Sequence, residues 1–188
     1  MKLLFISLSV IVVTITGFLT CRTASPEPAP TEMNQDGNWH LYTPADRRFS
    51  VEVPCDPAQK NVSTTSTLIY EYSCGGEDAS GLSFFIVSVL NMPDAERARM
   101  RDEAAFERSV KDSFSPNKRL TKLIPLKIER GFGREVVVIN SKDEMDNLRG
   151  RVIIFAGRRY EVGFVASDLK ALGSPTAERF LSSFKPLE

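Results

Sequence analysis

An uncharged stretch near the N-terminus constrains the fold of this chain more than any other feature. Met1 and Lys2 precede residues 3–20, which carry no charged side chain. A short positive start followed by an apolar run is typical of a secretory signal peptide. The run has no polar face, which argues against a buried helix of a globular domain. A run of about 18 apolar residues can also remain as an uncleaved membrane anchor. We therefore expect an exported chain.

Cys21 directly follows the apolar run. A cysteine at this place resembles the lipidated cysteine of bacterial lipoproteins, which becomes the first residue after cleavage and carries acyl chains. Thr20 departs from that family's pattern, which has Gly or Ala before the cysteine. The resemblance implies lipidation of Cys21 and a membrane-anchored position on the extracytoplasmic side of the cell envelope.

Residues 22–38 form a polar, proline-containing stretch with Pro26, Pro28 and Pro30. Closely spaced prolines interrupt both helices and central strands. The stretch therefore predicts a semi-extended tether. We divide the chain into a signal and lipobox-like segment over residues 1–21, a tether over 22–38 and one folded domain over 39–188.

The charge balance and the single histidine limit the functions to be considered. Lys and Arg together number 24, as do Asp and Glu, and His40 is the one histidine. A formal net charge of zero gives no electrostatic reason to expect a nucleic acid or an anionic lipid surface as the main partner. A cluster of histidines for a metal cannot be built, and a catalytic histidine needs a positioned partner that the sequence does not identify. We expect no metal site and no cofactor.

Cys55 and Cys74 remain once Cys21 is assigned to lipidation. An even pair of cysteines in an exported domain predicts a disulfide. The alternative is a redox or metal pair, which is weaker because the chain has no Cys-x-x-Cys motif and no second cysteine pair.

Alternating and apolar runs predict a sheet-rich domain. Apolar residues alternate with polar ones in several segments, and other segments are apolar on both faces, which favours central strands. The predicted strands cover residues 39–42, 49–53, 68–73, 82–90, 120–128, 134–140, 148–155 and 160–166. We expect the last two to form a hairpin with its turn at residues 156–158.

Two helices are predicted. Phe106, Val110 and Phe114 recur every four residues within a helical stretch from Asp94 to about Phe114. A second helix begins at Ser174 and Pro175, which fit the N-cap and the first helical position. Short connections between strands favour an α+β fold with an antiparallel sheet and helices packed on it.

Three segments of the domain resemble the PsbP-like superfamily, which includes the PsbP subunit of photosystem II and the bacterial lipoprotein DcrB. They are Arg48–Pro54, the hairpin Arg151–Tyr160 and the ending Arg179–Phe184. Their order and spacing cover residues 39–188. The resemblance implies an antiparallel sheet with helices on both faces, an α/β/α sandwich. It also implies binding or assembly roles without a shared active site.

A group of arginines lies on and beside the predicted hairpin, and arginine is common at binding hot spots. They are Arg149, Arg151, Arg158 and Arg159. We therefore interpret this hairpin as the contact surface of a non-catalytic envelope module with an unidentified protein partner. The alternative function is a hydrolase-like envelope enzyme whose site is assembled from dispersed residues.

Lipidation of Cys21 can be measured directly. Mass spectrometry of the membrane-extracted protein is expected to show an N-terminal Cys21 that carries a diacylglyceryl group. An intact Met1 terminus, or a soluble mature form that begins at another residue, would contradict this expectation.

Overall fold

The structure, a computed structural model, describes residues 39–63, 68–78, 81–114, 118–140 and 147–188. Cys21 and the predicted tether lie outside these residues. The described elements, in chain order, are β1 (His40–Tyr42), β2 (Phe49–Val53), β3 (Ala58–Ser63), β4 (Leu68–Asp78), β5 (Gly81–Asn91), α1 (Asp94–Arg99), α2 (Glu103–Asp112), β6 (Lys118–Leu126), β7 (Gly131–Asn140), β8 (Asn147–Phe155), β9 (Arg158–Ala166), a 3-10 helix (Leu169–Gly173), α3 (Pro175–Ser183) and β10 (Lys185–Pro186).

The described strands form two antiparallel sheets. The larger has seven strands in the order β3-β4-β5-β9-β8-β7-β6, and the smaller has three in the order β1-β2-β10. The prediction of an α+β domain with an antiparallel sheet is confirmed. The strand β3 and the three-stranded sheet were not predicted, since the sequence of β3 is mostly polar and β10 is two residues long.

The predicted hairpin is present as β8 and β9, with register from Asn147 opposite Ala166 to Phe155 opposite Arg158. Its turn consists of Ala156 and Gly157, which have φ angles of 49° and 74°. Two consecutive positive φ angles define a type I′ turn, whose twist matches that of the strands. The turn is therefore one residue shorter than the sequence indicated.

The single helix predicted from Asp94 to about Phe114 is wrong. The chain forms α1 and α2 with a break at residues 100–102. Asp102 has an extended backbone, and its carboxylate accepts a hydrogen bond from the backbone N–H of Ala105 at 2.8 Å. An aspartate at this position satisfies a free N–H group at a helix start, so it begins a new helix.

The buried side chains form two clusters. The larger combines β2 with β5, β9 and α3, and the smaller holds Phe106 and Val110 of α2 against Val136 and Val152. Val137 packs against the larger cluster, so neighbouring residues of β7 belong to different clusters, as expected from the alternation of side chains along a strand. α3 packs on β8 and β9, whereas α2 packs on β7.

Cys55 and Cys74 form a disulfide with a Cα–Cα distance of 6.0 Å, so the predicted pairing is confirmed. Cys55 follows β2 of the small sheet, and Cys74 lies within β4 of the large sheet. The covalent bond therefore joins the two sheets next to the larger cluster, against which both cysteines pack.

The described residues contain no helix that is long and apolar enough to span a membrane.

Removal of the disulfide is expected to lower the free energy of unfolding. The bridge closes a sequence separation of 19 residues, and a loop of this size corresponds to about 3 kcal/mol in the chain-entropy model. The Cys55→Ala/Cys74→Ala variant and the reduced wild type should therefore unfold at lower urea concentration. Cys21→Ser is the control and should unfold like the wild type. A double variant with an unchanged midpoint would contradict the stabilising role.

Candidate functional site

Arg149 on β8 lies at the centre of an ion-pair network. Its guanidinium donates to the Glu135 carboxylate of β7 at 2.9 Å and to the Glu178 carboxylate of α3 at 2.6 Å. Burial by itself lowers the pKa of Arg149, but the hydrogen bonds to Glu178 and Glu135 outweigh burial and raise it. Arg149 therefore fastens α3 to the sheet as a permanent cation.

Arg151 and Arg158 also donate to groups of the same chain. The Nη1 atom of Arg151 donates to the carbonyl of Leu181 at 2.5 Å, and its guanidinium lies 3.7 Å from the Glu135 carboxylate. The Nη1 atom of Arg158 donates to the carbonyl of Leu187 at 3.4 Å. Leu181 lies in α3, and Leu187 lies beyond β10, so these arginines hold the C-terminal part of the chain against the hairpin.

Arg159 points to the other side of the hairpin and is buried. It donates to the hydroxyls of Ser109 and Ser113 at 3.3 and 2.8 Å, and it pairs with Glu161 at 2.8 Å. Both serines belong to the α2 segment, so Arg159 fastens this helix to β9. The four predicted arginines thus do not converge on one surface, and each has an internal partner. Their contact with an external partner stays a prediction.

A cleft of about 410 Å³ lies between the outer face of the small sheet and the C-terminal half of α3. Its polar and charged lining comes from β2, α3 and β10, and one exposed leucine of β1 stands at its rim. The lining residues are Leu41, Ser50, Glu52, Arg179, Ser182, Ser183 and Lys185. The pairing of Leu41 with Glu52 and of Lys185 with Ser50 across the strands places these side chains together.

Ion pairs and hydrogen bonds engage Glu52, Arg179, Ser182 and Ser183 in this cleft. The Glu52 carboxylate accepts from Arg179 at 2.6 Å, and the guanidinium of Arg179 stacks on the Trp39 ring at 4.6 Å. The hydroxyls of Ser182 and Ser183 donate to carbonyls of α3 at 3.2 and 2.8 Å. A serine becomes a nucleophile when a base accepts its proton, and here backbone carbonyls accept it.

A second cleft of about 340 Å³ lies where the C-terminus meets the turn before β7. Its lining includes Phe155, Leu187 and the ion pair of Arg130 with Glu188, whose closest atoms are 2.7 Å apart. The charges of Arg130 and Glu188 therefore neutralise each other, and Glu129 adds a further carboxylate to the lining.

His40 lies beside a carboxylate in the structure. Its Nε2 atom lies 3.3 Å from the Asp56 carboxylate, but the side chains are 41% and 100% exposed. Neither residue lines either cleft. Among the described residues, no group of three or more His, Cys, Asp and Glu side chains is placed to hold a metal ion. The acidic residues Asp143, Glu144 and Asp146 lie outside the described residues.

Tyr72 belongs to the larger cluster and contacts aromatic residues of the small sheet. Its ring lies 5.1 Å from that of Phe49 and 6.1 Å from that of Tyr42. Burial, reinforced by the negative charge of Asp46, raises the pKa of Tyr72 to about 12. The phenol is therefore neutral and belongs to the core rather than to a site for proton transfer.

The cleft residues were not predicted as a site from the sequence. The sequence indicates Glu52 only as part of the predicted strand over 49–53, and it indicates α3 only through the helix start at Ser174 and Pro175. A usable signal was the polar face of α3, with Arg179, Ser182 and Ser183 at helical spacing. Lys185 joins them through β10, which is too short to recognise from sequence.

Comparisons with known proteins place this chain in no family. No family model matches the chain, and no curated protein matches it. A solved structure with similarity is the solution structure of cyanobacterial PsbP (CyanoP) from Synechocystis sp. PCC 6803. The two share 12% sequence identity with a TM-score of 0.47, and the match covers 79% of this chain and 92% of that chain. A match at this level assigns neither a family nor a function.

Substitution of Arg149 is expected to destabilise the domain. Arg149→Ala removes charged hydrogen bonds to Glu135 and Glu178, and hydrogen bonds to charged groups contribute about 2 kcal/mol each or less. We expect a decrease of roughly 2 kcal/mol in the free energy of unfolding, measured in urea. Arg108→Ala is the matched control, because this exposed arginine of α2 should change stability by less than about 0.5 kcal/mol. Equal unfolding midpoints for the two variants would contradict the network.

Proposed function

We propose that this chain is a membrane-tethered, non-catalytic binding or assembly module of the cell envelope, with a PsbP-like α/β/α sandwich as its folded part. The cleft between α3 and the small sheet carries the proposal. Its one carboxylate among the described lining residues, that of Glu52, is neutralised by Arg179, and the hydroxyls of Ser182 and Ser183 donate to backbone carbonyls. The cleft therefore offers contacts rather than an activated group.

The disulfide supports the extracytoplasmic location. Disulfides persist in oxidising compartments and are rare in the cytoplasm. The bond between Cys55 and Cys74 joins the two sheets, and the signal-like residues 1–21 and the tether over 22–38 are consistent with an anchored, exported domain. The two side-chain clusters support the sandwich, because α2 packs in one and α3 in the other.

The hairpin arginines remain part of the proposal as possible partner contacts, but they are poor positions for a first test. Arg149, Arg151 and Arg159 hold α2 and α3 to the sheet. Alanine at these positions would lower stability and binding together. Leu41 is a better probe, because it is 66% exposed at the rim of the cleft.

A photo-cross-linking amino acid at Leu41 tests the binding function in the full-length chain in living cells. We expect a discrete adduct with an envelope protein, identified by mass spectrometry. Leu169 is the matched control, since it is an exposed leucine outside the cleft and should give no such adduct. Lys185→Glu is expected to weaken the adduct at Leu41. Equal cross-linking from both leucines, or none from either, would contradict a binding role for the cleft.

The pairing of His40 with Asp56 at 3.3 Å favours the enzyme alternative. A histidine beside a carboxylate is the arrangement that orients a general base. Hydrolase activity of the purified protein that is abolished by His40→Ala or Glu52→Gln would replace the binding proposal with the enzyme.

A further inference from the structure

One edge of the seven-stranded sheet carries basic side chains that have no carboxylate partner in the part of the chain that the structure describes. β6 is the edge strand, and its basic residues together with the lysine that follows it form what we term the basic strip: Lys118, Arg119, Lys122 and Lys127. Residues along a strand are about 3.3 Å apart, so the basic strip is roughly 30 Å long. Three of its four residues are exposed, and Lys118 is half-buried.

The basic strip differs from most other cations of the domain in having no carboxylate partner among the described residues. Elsewhere, Arg134 pairs with Glu103 and Glu107, Arg149 with Glu135 and Glu178, and Arg179 with Glu52. The opposite edge strand, β3, carries a single cation, Lys60. In a chain of zero net charge, the basic strip is therefore a local excess of positive charge on one edge.

The backbone of β6 is poorly suited to pairing with another strand. Its register against β7 shifts between Leu120 and Lys122, a bulge or irregularity of the strand, and Pro125 offers no N–H group. Bulges, lysines and proline on an edge strand are the features that prevent strand addition. A partner of this edge must therefore contact the side chains rather than extend the sheet, which disfavours a peptide bound as an added strand.

We propose that the basic strip lies against anionic phospholipid headgroups of the membrane that anchors the chain. The inference rests on the proposed tethering. A headgroup layer presents dispersed negative charge to side chains and needs no strand pairing. Leu120 and Leu123 pack inward on the smaller cluster, whereas Ile124 is 47% exposed beside the basic residues. The strip thus combines charge with an exposed apolar side chain, a combination that suits the interface of a membrane.

The length of the predicted tether permits this contact. Residues 22–38 can extend over about 55 Å. A domain of this size has a radius of gyration of roughly 15 Å, hence a diameter of about 40 Å. The domain can therefore rotate until β6 meets the bilayer, wherever β1 joins the tether. The tether also keeps the strip within reach of the headgroups, so that weak contacts suffice.

Lysine footprinting of the full chain reconstituted in vesicles tests the proposal. The probes are vesicles of neutral phosphatidylcholine and vesicles that contain about one third phosphatidylglycerol. A water-soluble acetylating reagent is applied, and modification is read by mass spectrometry. In the anionic vesicles, we expect acetylation of Lys118, Lys122 and Lys127 to slow about fivefold or more, since each basic residue near an anionic surface strengthens binding about fivefold. High salt should abolish the protection.

Lys60 and Lys170, which are exposed on other surfaces, are internal controls and should react equally in both kinds of vesicle. The Arg119→Glu/Lys122→Glu variant should remove the protection of Lys118 and Lys127. The matched variant Arg99→Glu/Arg101→Glu makes the same charge change at two exposed arginines near α1 and should retain it.

Several results would overturn the proposal. They are equal reactivity of the strip lysines in neutral and anionic vesicles, uniform protection of all lysines, and protection by soluble polyglutamate without protection by anionic vesicles. Protection by polyglutamate alone would indicate that the basic strip binds an acidic polypeptide. Flotation with neutral vesicles tests the tether separately. A chain that does not float with neutral vesicles would contradict the tethering, whereas footprinting with anionic vesicles would still decide the contact of the strip.

Discussion

The packing of aromatic rings in the larger cluster is the interaction on which the rest of the structure depends. Phe49 of the small sheet lies 5.1 Å from Tyr72 of the large sheet and 5.6 Å from Phe184 at the end of α3. Phe85 lies 5.1 Å from Phe180 of α3. Aromatic rings bury large apolar areas and prefer edge-on or offset-stacked contacts; Phe49 stacks on Phe184, and the other two contacts are edge-on. These contacts fix the small sheet and α3 on the large sheet, and the cleft exists only because both are held there.

Charged side chains also hold the helices against the large sheet, at the periphery of the clusters. Arg134 is only 3% exposed and joins β7 to Glu103 and Glu107 of α2, while Arg149 joins β8 to α3. An arginine can satisfy two carboxylates at once because its guanidinium carries five donors in one plane. The domain therefore uses these arginines as internal fasteners, whereas the basic residues of β6 have no carboxylate partner among the described residues.

The predictions from sequence succeeded where a local pattern has a local cause. The alternation of Phe49, Val51 and Val53 gave the strand β2, and Ser174 accepts a hydrogen bond from the N–H of Ala177 as an N-cap. They failed in two places. The single helix from Asp94 to about Phe114 overlooks a local cap, because Asp102 accepts a hydrogen bond from the N–H of Ala105 and begins a second helix. The hairpin arginines form a cluster in the sequence, but alternation along β9 places Arg159 on the opposite side from Arg158, and all four have partners within the chain.

The sequence by itself determined the antiparallel sheet, the helix that begins at Pro175 and the pairing of Cys55 with Cys74. Residue periodicity, capping chemistry and an even cysteine count are properties of short segments or of composition, so they can be read without coordinates. Only the tertiary structure decided that Glu52 meets Arg179 across 127 positions of the chain and that β6 is an edge strand. Strand order and contacts between distant segments depend on how the whole chain buries its apolar side chains, and no local pattern encodes that arrangement.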